Sequence, residues 1–422
     1  MRGSALMQPR LHSQQRLREA PKPITQLELS RKHRPDYWLV ILCALLLGIG
    51  VVVVYAISPA LTVTNNVSST YYISKQILAI ALSMVAFVIT AKVPLEWWRK
   101  SYKVMLIVAG LATLLAIVLP VNPSYPAHRW VRLGSLSFQS VELLKFALVI
   151  WLANFLALRI KDGSITSTKK TLYPILIALV GVGLIVAGIQ SDLGSTGVMV
   201  AMMASMAFIA GLPMKRVFLI GGIITLGLVL AISTTPYRRA RLETYLHPAS
   251  NCSGSGYQAC QALIAVGSGG VVGLGLGSSV QAYGYLPEAA NDSIFAIFAE
   301  KFGFIGSIIL LIIFVAFFAR MKSIAERSSD NFCRLLVIGI LSWLSVQAFI
   351  NIGAMIGILP LKGITLPFIS YGGTSVVFAA SAVGLIFQIS QYTTLGTPRV
   401  GNDSPTRRVG PNSDRLRSRY EG

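Results

Sequence analysis

The stretch GYLPEAANDSIFAIFAEKFG, residues 284–303, sets Glu288, Asp292 and Glu300 around the start of an apolar run, in a chain with only 16 acidic residues. A carboxylate at such a boundary can serve as a general base that takes a proton from a hydroxyl nucleophile. It can equally serve as a helix N-cap, accepting backbone N–H bonds, and the position of Asp292 just before Ser293 and an apolar helix accommodates that role completely. The two roles are compatible. Asp192, in IQSDLGSTG at the head of another apolar run, invites the same pair of readings.

Other chemistry-bearing residues lie in two segments. In NPSYPAHRWVRLGSLSFQSVE, residues 122–142, Arg129, Trp130 and Gln139 precede an apolar helix. Glu142 and Lys145 follow three apart, on one helix face, where they can form a structural pair. The second segment, residues 234–293, opens with the Arg-rich PYRRARLETYLHP and passes through YQACQALIAVGSGGVVGLGLGSS before reaching Asp292. Its glycines lack the G-x-G-x-x-G spacing and the preceding strand of a dinucleotide site. They allow a close backbone approach to a phosphate, or a re-entrant turn surrounded by protein. The four histidines are scattered and no HExxH or CxxC spacing marks a metal site. No Walker A loop is present, so nothing points to ATP-driven transport.

The elements that position these residues are membrane helices. With 54% hydrophobic and 13% charged residues and a mean hydropathy of +0.66, the chain reads as an all-α polytopic membrane protein. Ten spans are predicted, at roughly 38–58, 73–93, 102–120, 143–160, 171–189, 192–211, 216–233, 294–319, 333–357 and 374–394. The first 37 residues are polar and basic without a cleavable signal pattern, so the first helix is expected to remain as an anchor. Of 37 Lys and Arg residues, 28 fall in 1–37, 91–103, 159–170, 215–216, 320–334 and 395–422. That places both termini in the cytoplasm and makes the net charge of +21 a lipid-facing surface and not a nucleic-acid footprint. The organisation expected is a disordered basic tail (1–37), a ten-helix membrane domain (38–394) with a large outer loop (234–293) between helices 7 and 8, and a second disordered basic tail (395–422).

The remaining nine cations, Lys75, Arg129, Arg132, Lys145, Arg238, Arg239, Arg241, Lys301 and Lys362, then lie outside or near the outer helix ends. Singly they are explained by headgroup contact and snorkelling. Together they suit an anion such as a pyrophosphate, with Lys75, Arg129 and Lys145 the leading candidates. Cys43 and Cys333 read as small apolar residues. Cys252 and Cys260 share the large outer loop in an oxidising location, which leaves a disulfide between them open. Pro360, Pro367 and Gly372–Gly373 either bend the chain around a ligand or simply close a loop.

Five separated motifs carry a resemblance: HRWVRLGSLSFQSVELLKFALVIWLA, QSDLG, YRRARLETYLHP with GYQACQALIAVGSGGVVGLGLGSSVQ, YLPEAANDSIFAIFAEKFGFIG, and LPLKGITLPFISYGGTS. In this order they resemble the SEDS family (shape, elongation, division and sporulation; FtsW and RodA) over residues 38–394, with wording nearer its division branch. The resemblance implies a peptidoglycan glycosyltransferase that polymerises lipid II on the outer face of the cytoplasmic membrane, at the division septum. It also implies a class B penicillin-binding protein as transpeptidase partner, together with other division proteins. Asp292 matches the aspartate of the family's P-E-A-H-T-D motif, regarded as essential for catalysis, and Asp192 that of Q-P-D-L-G. Arg129, Trp130, Gln139, Glu142 and Lys145 match the R-W…F-Q-P-S-E-L-x-K element. Ala290 and Asn291 stand where the motif has His and Thr, Ser293 where it has Phe, and Ser140 and Val141 where it has Pro and Ser. The expected site is therefore Asp292 as base, with Lys75, Arg129, Trp130, Gln139, Lys145, Asp192 and Glu288 around the substrate. No resident cofactor is expected, and a divalent cation (Mg or Mn) would arrive with the pyrophosphate. A transporter that flips the lipid-linked precursor is the chief alternative, disfavoured because transporter sites lie near the midplane whereas these charges gather at the outer end. A structural scaffold for division partners is the third reading.

Overall fold

The computed structural model describes residues 34–68, 70–119, 130–133, 136–233, 239, 243, 245–246, 252–254 and 256–392. The two basic tails, up to residue 33 and from residue 393, lie outside them. Eleven α-helices are described: α1 (Tyr37–Asn65), α2 (Tyr71–Lys92), α3 (Leu95–Val118), α4 (Ser140–Lys161), α5 (Tyr173–Val182), α6 (Leu193–Ile209), α7 (Met214–Ser233), α8 (Tyr257–Ser268), α9 (Ile294–Arg327), α10 (Asn331–Met355) and α11 (Gly373–Ser390). Widened π-helical turns, Thr168–Leu172 and Gly183–Ile189, flank α5 and complete one span-length rod over Thr168–Ile189.

Eight of these segments are long and apolar enough to cross a membrane, and α6 is a shorter apolar helix. The boundaries follow local chemistry. Asp36 caps α1 by accepting from the Leu39 N–H (3.3 Å). Asn66, at φ 52°, ends α1 in the left-handed conformation that Asn tolerates. Asp330 caps α10 by accepting from the Cys333 N–H (3.3 Å). At the same end of the bundle, Arg320 pairs with Asp36 at 2.6 Å and Arg99 pairs with Asp330.

Burial sorts the helices. Helices α4, α10 and α11 are mostly enclosed, whereas α2 and α3 present rows of exposed Leu, Ile and Val, as lipid-facing helices do. Helix α11 lies along α2 at very short range: a Cβ on Gly384 would stand 2.6 Å from the Phe87 carbonyl oxygen. Cys43 and Cys333 are free and buried in the core, as small apolar residues are.

Three features depart from the predicted layout. Residues 122–142 contain a short antiparallel hairpin, β1 (Trp130–Leu133) and β2 (Leu136–Gln139), with Trp130 opposite Gln139. The segment 234–293 contains α8, tied to the preceding chain by a Cys252–Cys260 disulfide. Finally α9 is two helices joined at a kink, broken at Gly303 (φ 66°, ψ −164°). The part beyond the break, about 36 Å long at 1.5 Å per residue, suffices to span a bilayer by itself. The piece Ile294–Phe302 is an additional short helix feeding into it.

Gly303 is required by what crosses it. The glycine-rich chain after α8 lies against the break and pairs with it backbone to backbone: Leu274 N–H to Glu300 O (2.9 Å), Gly275 N–H to Lys301 O (3.0 Å), Phe304 N–H to Gly270 O (2.9 Å) and Ile305 N–H to Val271 O (3.0 Å). A Cβ on Gly273 would stand 2.2 Å from the Lys301 carbonyl oxygen. The glycines of VGSGGVVGLGLG thus permit contact with a helix and not with a dinucleotide.

Candidate active site

Asp292 does not occupy the N-cap of α9; that position falls to Ser293, one residue later. The Ser293 hydroxyl donates to the Pro287 carbonyl (2.9 Å) and accepts from Gln258 Nε2 of α8 (3.1 Å). The Ser293 hydroxyl thus ties the helix start to α8 and to the loop and makes no side-chain capping bond, while Asp292 belongs to the connecting loop, half-buried.

That loop is held through its carbonyls. Tyr371 N–H donates to Ala290 O (2.8 Å), Ser370 Oγ to Asn291 O (2.7 Å), and Asn351 Nδ2 to Asp292 O (2.7 Å). Three consecutive backbone acceptors are fixed, two by the segment before α11 and one by α10. Within the loop, Asn291 and Ser293 N–H groups donate to Glu288 O (2.9 and 3.1 Å), and the Asn291 amide donates to the Glu288 carboxylate. Asn291, at the position of the family motif's Thr, thereby orients Glu288.

The anchoring segment is sunk into the bundle. Phe368 packs its ring on Phe317 of α9 (centroids 5.6 Å apart), and a Cβ on Gly50 of α1 would lie 2.7 Å from the Phe368 carbonyl oxygen. Gly50 is about 22 Å from the Asn65 end of α1, and Phe317 about 21 Å beyond Gly303. Both contacts fall near the middle of span-length helices. Residues 366–370 are buried throughout, as irregular backbone at membrane depth must be. Pro367 and its neighbours thus bend the chain inward and do more than close a loop. The Asp292 loop meets this segment at its last residues, Ser370 and Tyr371, just before α11 begins.

Several of the predicted residues connect through chains of contact to the segment that anchors this loop. Glu142 and Lys145 form a buried pair at 2.8 Å, with Lys145 only 1% and Glu142 3% exposed. Lys145 Nζ also donates to Gln347 Oε1 (2.9 Å) and sits 5.3 Å from the Trp343 ring centre. Its charge is thus met inside the protein by Glu142 and Gln347, the structural pair that the spacing allowed. Gln347 Nε2 donates in turn to Thr365 O (3.0 Å), joining the pair to the chain that carries Ser370 and Tyr371.

Asp192 is a buried N-cap of α6. Its carboxylate accepts from Ser195 N–H and Ser195 Oγ, each at 3.0 Å, and its carbonyl accepts from Thr196 Oγ1 (2.7 Å). A Cβ on Gly194 would stand 2.6 Å from the Ile364 side chain, so the start of α6 abuts the same 362–365 segment. Gln139 ends the hairpin and donates its N–H to Thr374 Oγ1 of α11 (3.3 Å). Trp130 lies on the opposite strand, 37% exposed.

Lys75 is exposed on the first turn of α2, donating to the Tyr71 hydroxyl (2.7 Å) with its ammonium 4.4 Å from that ring's centre. Ring contacts continue from Tyr71 to Tyr72 (5.3 Å) and from Tyr72 to Tyr371 (5.4 Å), whose N–H holds the Asp292 loop. Burial above all, then the neighbouring Tyr71 and Tyr72, pushes the Tyr371 hydroxyl above its ordinary range, keeping it neutral. Glu300, from the opening motif, faces away from this site: its carboxylate accepts from Ser279 Oγ and from the N–H groups of Val280 (2.9 Å) and Gln281 (3.2 Å). Lys301 Nζ donates to Leu276 O (2.6 Å). Both serve the glycine-rich crossing. Arg129, Arg238 and Arg241 lie outside the described residues, as does the Arg132 side chain.

Gln347, Asn351, Ser370 and Tyr371 escaped the sequence reading. The first two carried a signal: amides four residues apart in SWLSVQAFINIGAM share one face of a membrane helix, where polar groups need partners. Among the described residues no three His, Cys, Asp or Glu side chains converge to hold a metal ion.

Comparison with known proteins agrees with this architecture. The chain is 36% identical over 371 residues to a probable peptidoglycan glycosyltransferase FtsW of Saccharophagus degradans, covering 85% of this chain and 92% of the relative. It is 35% identical over 365 residues to stage V sporulation protein E of Bacillus subtilis, covering 86% and 99%. Among solved structures, a chain from a peptidoglycan synthase complex that coordinates polymerization and crosslinking matches with a TM-score of 0.68 at 24% identity, over 85% of this chain and 99% of that one. The rod shape determining protein RodA of Thermus thermophilus matches with a TM-score of 0.62 at 23% identity, over 86% and 98%. The family described as cell cycle protein, the FtsW/RodA/SpoVE type, matches residues 37–395, and the chain belongs to it.

Proposed function

We propose that this protein is a peptidoglycan glycosyltransferase that polymerises lipid II on the outer face of the cytoplasmic membrane during cell division. It would cross the membrane ten times with both termini in the cytoplasm. The observation that carries the proposal is the Asp292 loop, whose carbonyls at 290, 291 and 292 are each pinned while its carboxylate stays half-buried at the edge of the bundle. A general base needs that fixity, because proton transfer requires hydrogen-bond reach to the acceptor hydroxyl.

In the proposed reaction the 4-hydroxyl of the acceptor sugar gives its proton to Asp292 while its oxygen attacks the anomeric carbon of the donor. The bond from that carbon to the pyrophosphate oxygen breaks, the electron pair leaves with polyprenyl pyrophosphate, and configuration inverts. No nucleotide is needed, since the activated donor supplies the free energy. Lys75 and Arg129 would meet the charge developing on the leaving group, Glu288 would orient the acceptor, and Trp130 and Gln139 would line the approach. Lys145 and Asp192 would hold the helices that frame the site. A divalent ion, where one takes part, would come with the pyrophosphate. The partner would be a class B penicillin-binding protein at the division septum, with other division proteins recruited around it.

The depth of residues 366–370 favours a second reading, because a buried irregular segment at mid-span is also what a lipid transporter would use. One experiment separates the two, along with the scaffold reading. The purified protein, alone and with its cognate transpeptidase, is given lipid II, and native chain is compared with Asp292→Asn. Glycan strands from the native chain and none from a folded, partner-binding variant support the transferase. Equal polymer from both reduces Asp292 to a structural residue. No polymer from either, with lipid II crossing liposome bilayers, establishes the transporter; neither activity leaves the scaffold.

A further inference from the structure

Two buried amides, Gln347 and Asn351, share one face of α10 and belong neither to the expected motif residues nor to helix caps. Asn351 is the clearest. It is 1% exposed, and both hydrogens of its amide are committed to main-chain carbonyls of separate segments: Asp292 O at 2.7 Å and Ile364 O at 2.7 Å. Its own oxygen, Oδ1, is buried without a hydrogen-bond partner. A side chain that leaves one polar atom unsatisfied gives up stability, and here it does so while joining two stretches of irregular backbone.

The two stretches are the carboxylate loop and the inward-dipping chain that also pins it through Ser370 and Tyr371. One turn earlier on the same face, Gln347 makes the corresponding contact to Thr365. Helix α10 is itself seated firmly: a Cβ on Gly339 would stand 2.3 Å from the Val149 side chain of α4. Asn351 therefore references the Asp292 backbone to a rigid helix instead of to a second loop.

We infer that Asn351 is a positioning residue for the proposed reaction: it sets where the Asp292 carboxylate stands without touching substrate. The inference rests on the glycosyltransferase reading for its kinetic arm only. Removing the amide frees the Asp292 and Ile364 carbonyls together, and a base displaced by about 1 Å loses on the order of 100-fold in rate.

The test uses the full chain in detergent with its transpeptidase partner, comparing native protein with Asn351→Leu, which replaces the amide by an apolar group of similar branching, and Asn351→Ala, which removes it without added bulk. Lipid II polymerisation is measured together with hydrogen–deuterium exchange of peptides covering 286–293 and 363–371. The expected result is faster exchange confined to those two peptides, with kcat down about 100-fold and KM within about 3-fold. Unchanged exchange overturns the clamp. Faster exchange with unchanged kcat, or a rise in KM alone, overturns the positioning role. Loss of folded protein in both variants makes Asn351 a stability residue and overturns it as well. If the native chain itself makes no polymer, the function proposal fails, while the exchange arm still decides whether Asn351 fixes the loop.

Discussion

Replacing Lys145 by Met and Glu142 by Leu, singly and together, asks whether the buried pair frames the site or whether the lysine reaches substrate. The ammonium lies 2.8 Å from Glu142 and 2.9 Å from Gln347, at 1% exposure. Lys145→Met strands a carboxylate that already has one oxygen, Oε2, without a partner, and removing one member of a buried pair costs about 3–5 kcal/mol. With an unfolding entropy of roughly 2.1 cal/mol/K per residue over about 360 residues, that is a fall in Tm of about 4–7 °C. The double replacement removes both charges, and Gln347 keeps its Trp343 donor at 2.9 Å. Buried pairs exchanged for apolar residues are often neutral, so the double variant is expected to return to within about 2 °C of the native chain. Heating followed by size-exclusion recovery measures this, and a double variant as unstable as the single ones refutes the pair as the cause. Polymerisation decides the role: recovery to within about 10-fold of native marks Lys145 as framing. A double variant that is stable yet as inactive as Lys145→Met would refute that conclusion and return the lysine to the leaving group.

Three further outcomes are expected. Gly273→Ala, with φ at +86° and a Cβ that would stand 2.2 Å from Lys301 O, should lower Tm by several degrees, whereas Gly277→Ala, with open space around it, should change it by under about 1 °C. Thiol labelling of the denatured chain should count two reactive cysteines without reductant and all four after reduction, since Cys43 and Cys333 are free and Cys252 and Cys260 are bonded; four in both conditions would exclude the bridge. Glu300→Ala should cost about 3 kcal/mol or more by abandoning three donors, seen as lower heat tolerance, with Glu300→Gln intermediate.

The span-length helices were legible because apolar runs of about 20 residues have few alternatives, and the boundaries differ mainly where polar residues are absorbed into helices. Helix α3 starts at Leu95 and includes Trp97, Trp98, Arg99 and Lys100, charged positions that a hydropathy reading leaves outside. Helix α8 was missed because YQACQALIAVGS is too short for a span and runs into glycines. The inward path of residues 366–370 was illegible for a different reason: PFIS reads the same at the surface as at depth, and only Gly50 and Phe317, far away in sequence, reveal where it lies. Asp192 was correctly read as a cap, and Glu142–Lys145 as a pair, from spacing alone. For Asp292 the cap and base readings stayed open together, because local sequence cannot distinguish two adjacent polar residues at a helix start. The N-cap position falls to Ser293, whose hydroxyl is held by α8 and by its own loop.

The backbone itself marks the site. Among the described residues, four non-glycine positions adopt positive φ, and three of them flank it: Ser191 (55°) before Asp192, Glu288 (52°) in the carboxylate loop, and Phe368 (66°) before Ser370. Each costs on the order of 1–2 kcal/mol, and a bulky Phe in that region persists only because its surroundings fix it. What fixes it is the packing on Phe317 and α1, and the same segment then holds the carbonyls of Ala290 and Asn291. Strain, the anchoring of Asp292 and depth in the bundle are therefore one arrangement. A passage for lipid must let such a segment move between two packings, because alternating access requires it. A catalytic base must keep it in one, because preorganisation is lost when it moves. The hold exerted by Asn351, Ser370 and Tyr371 on three successive carbonyls is the behaviour expected of the second.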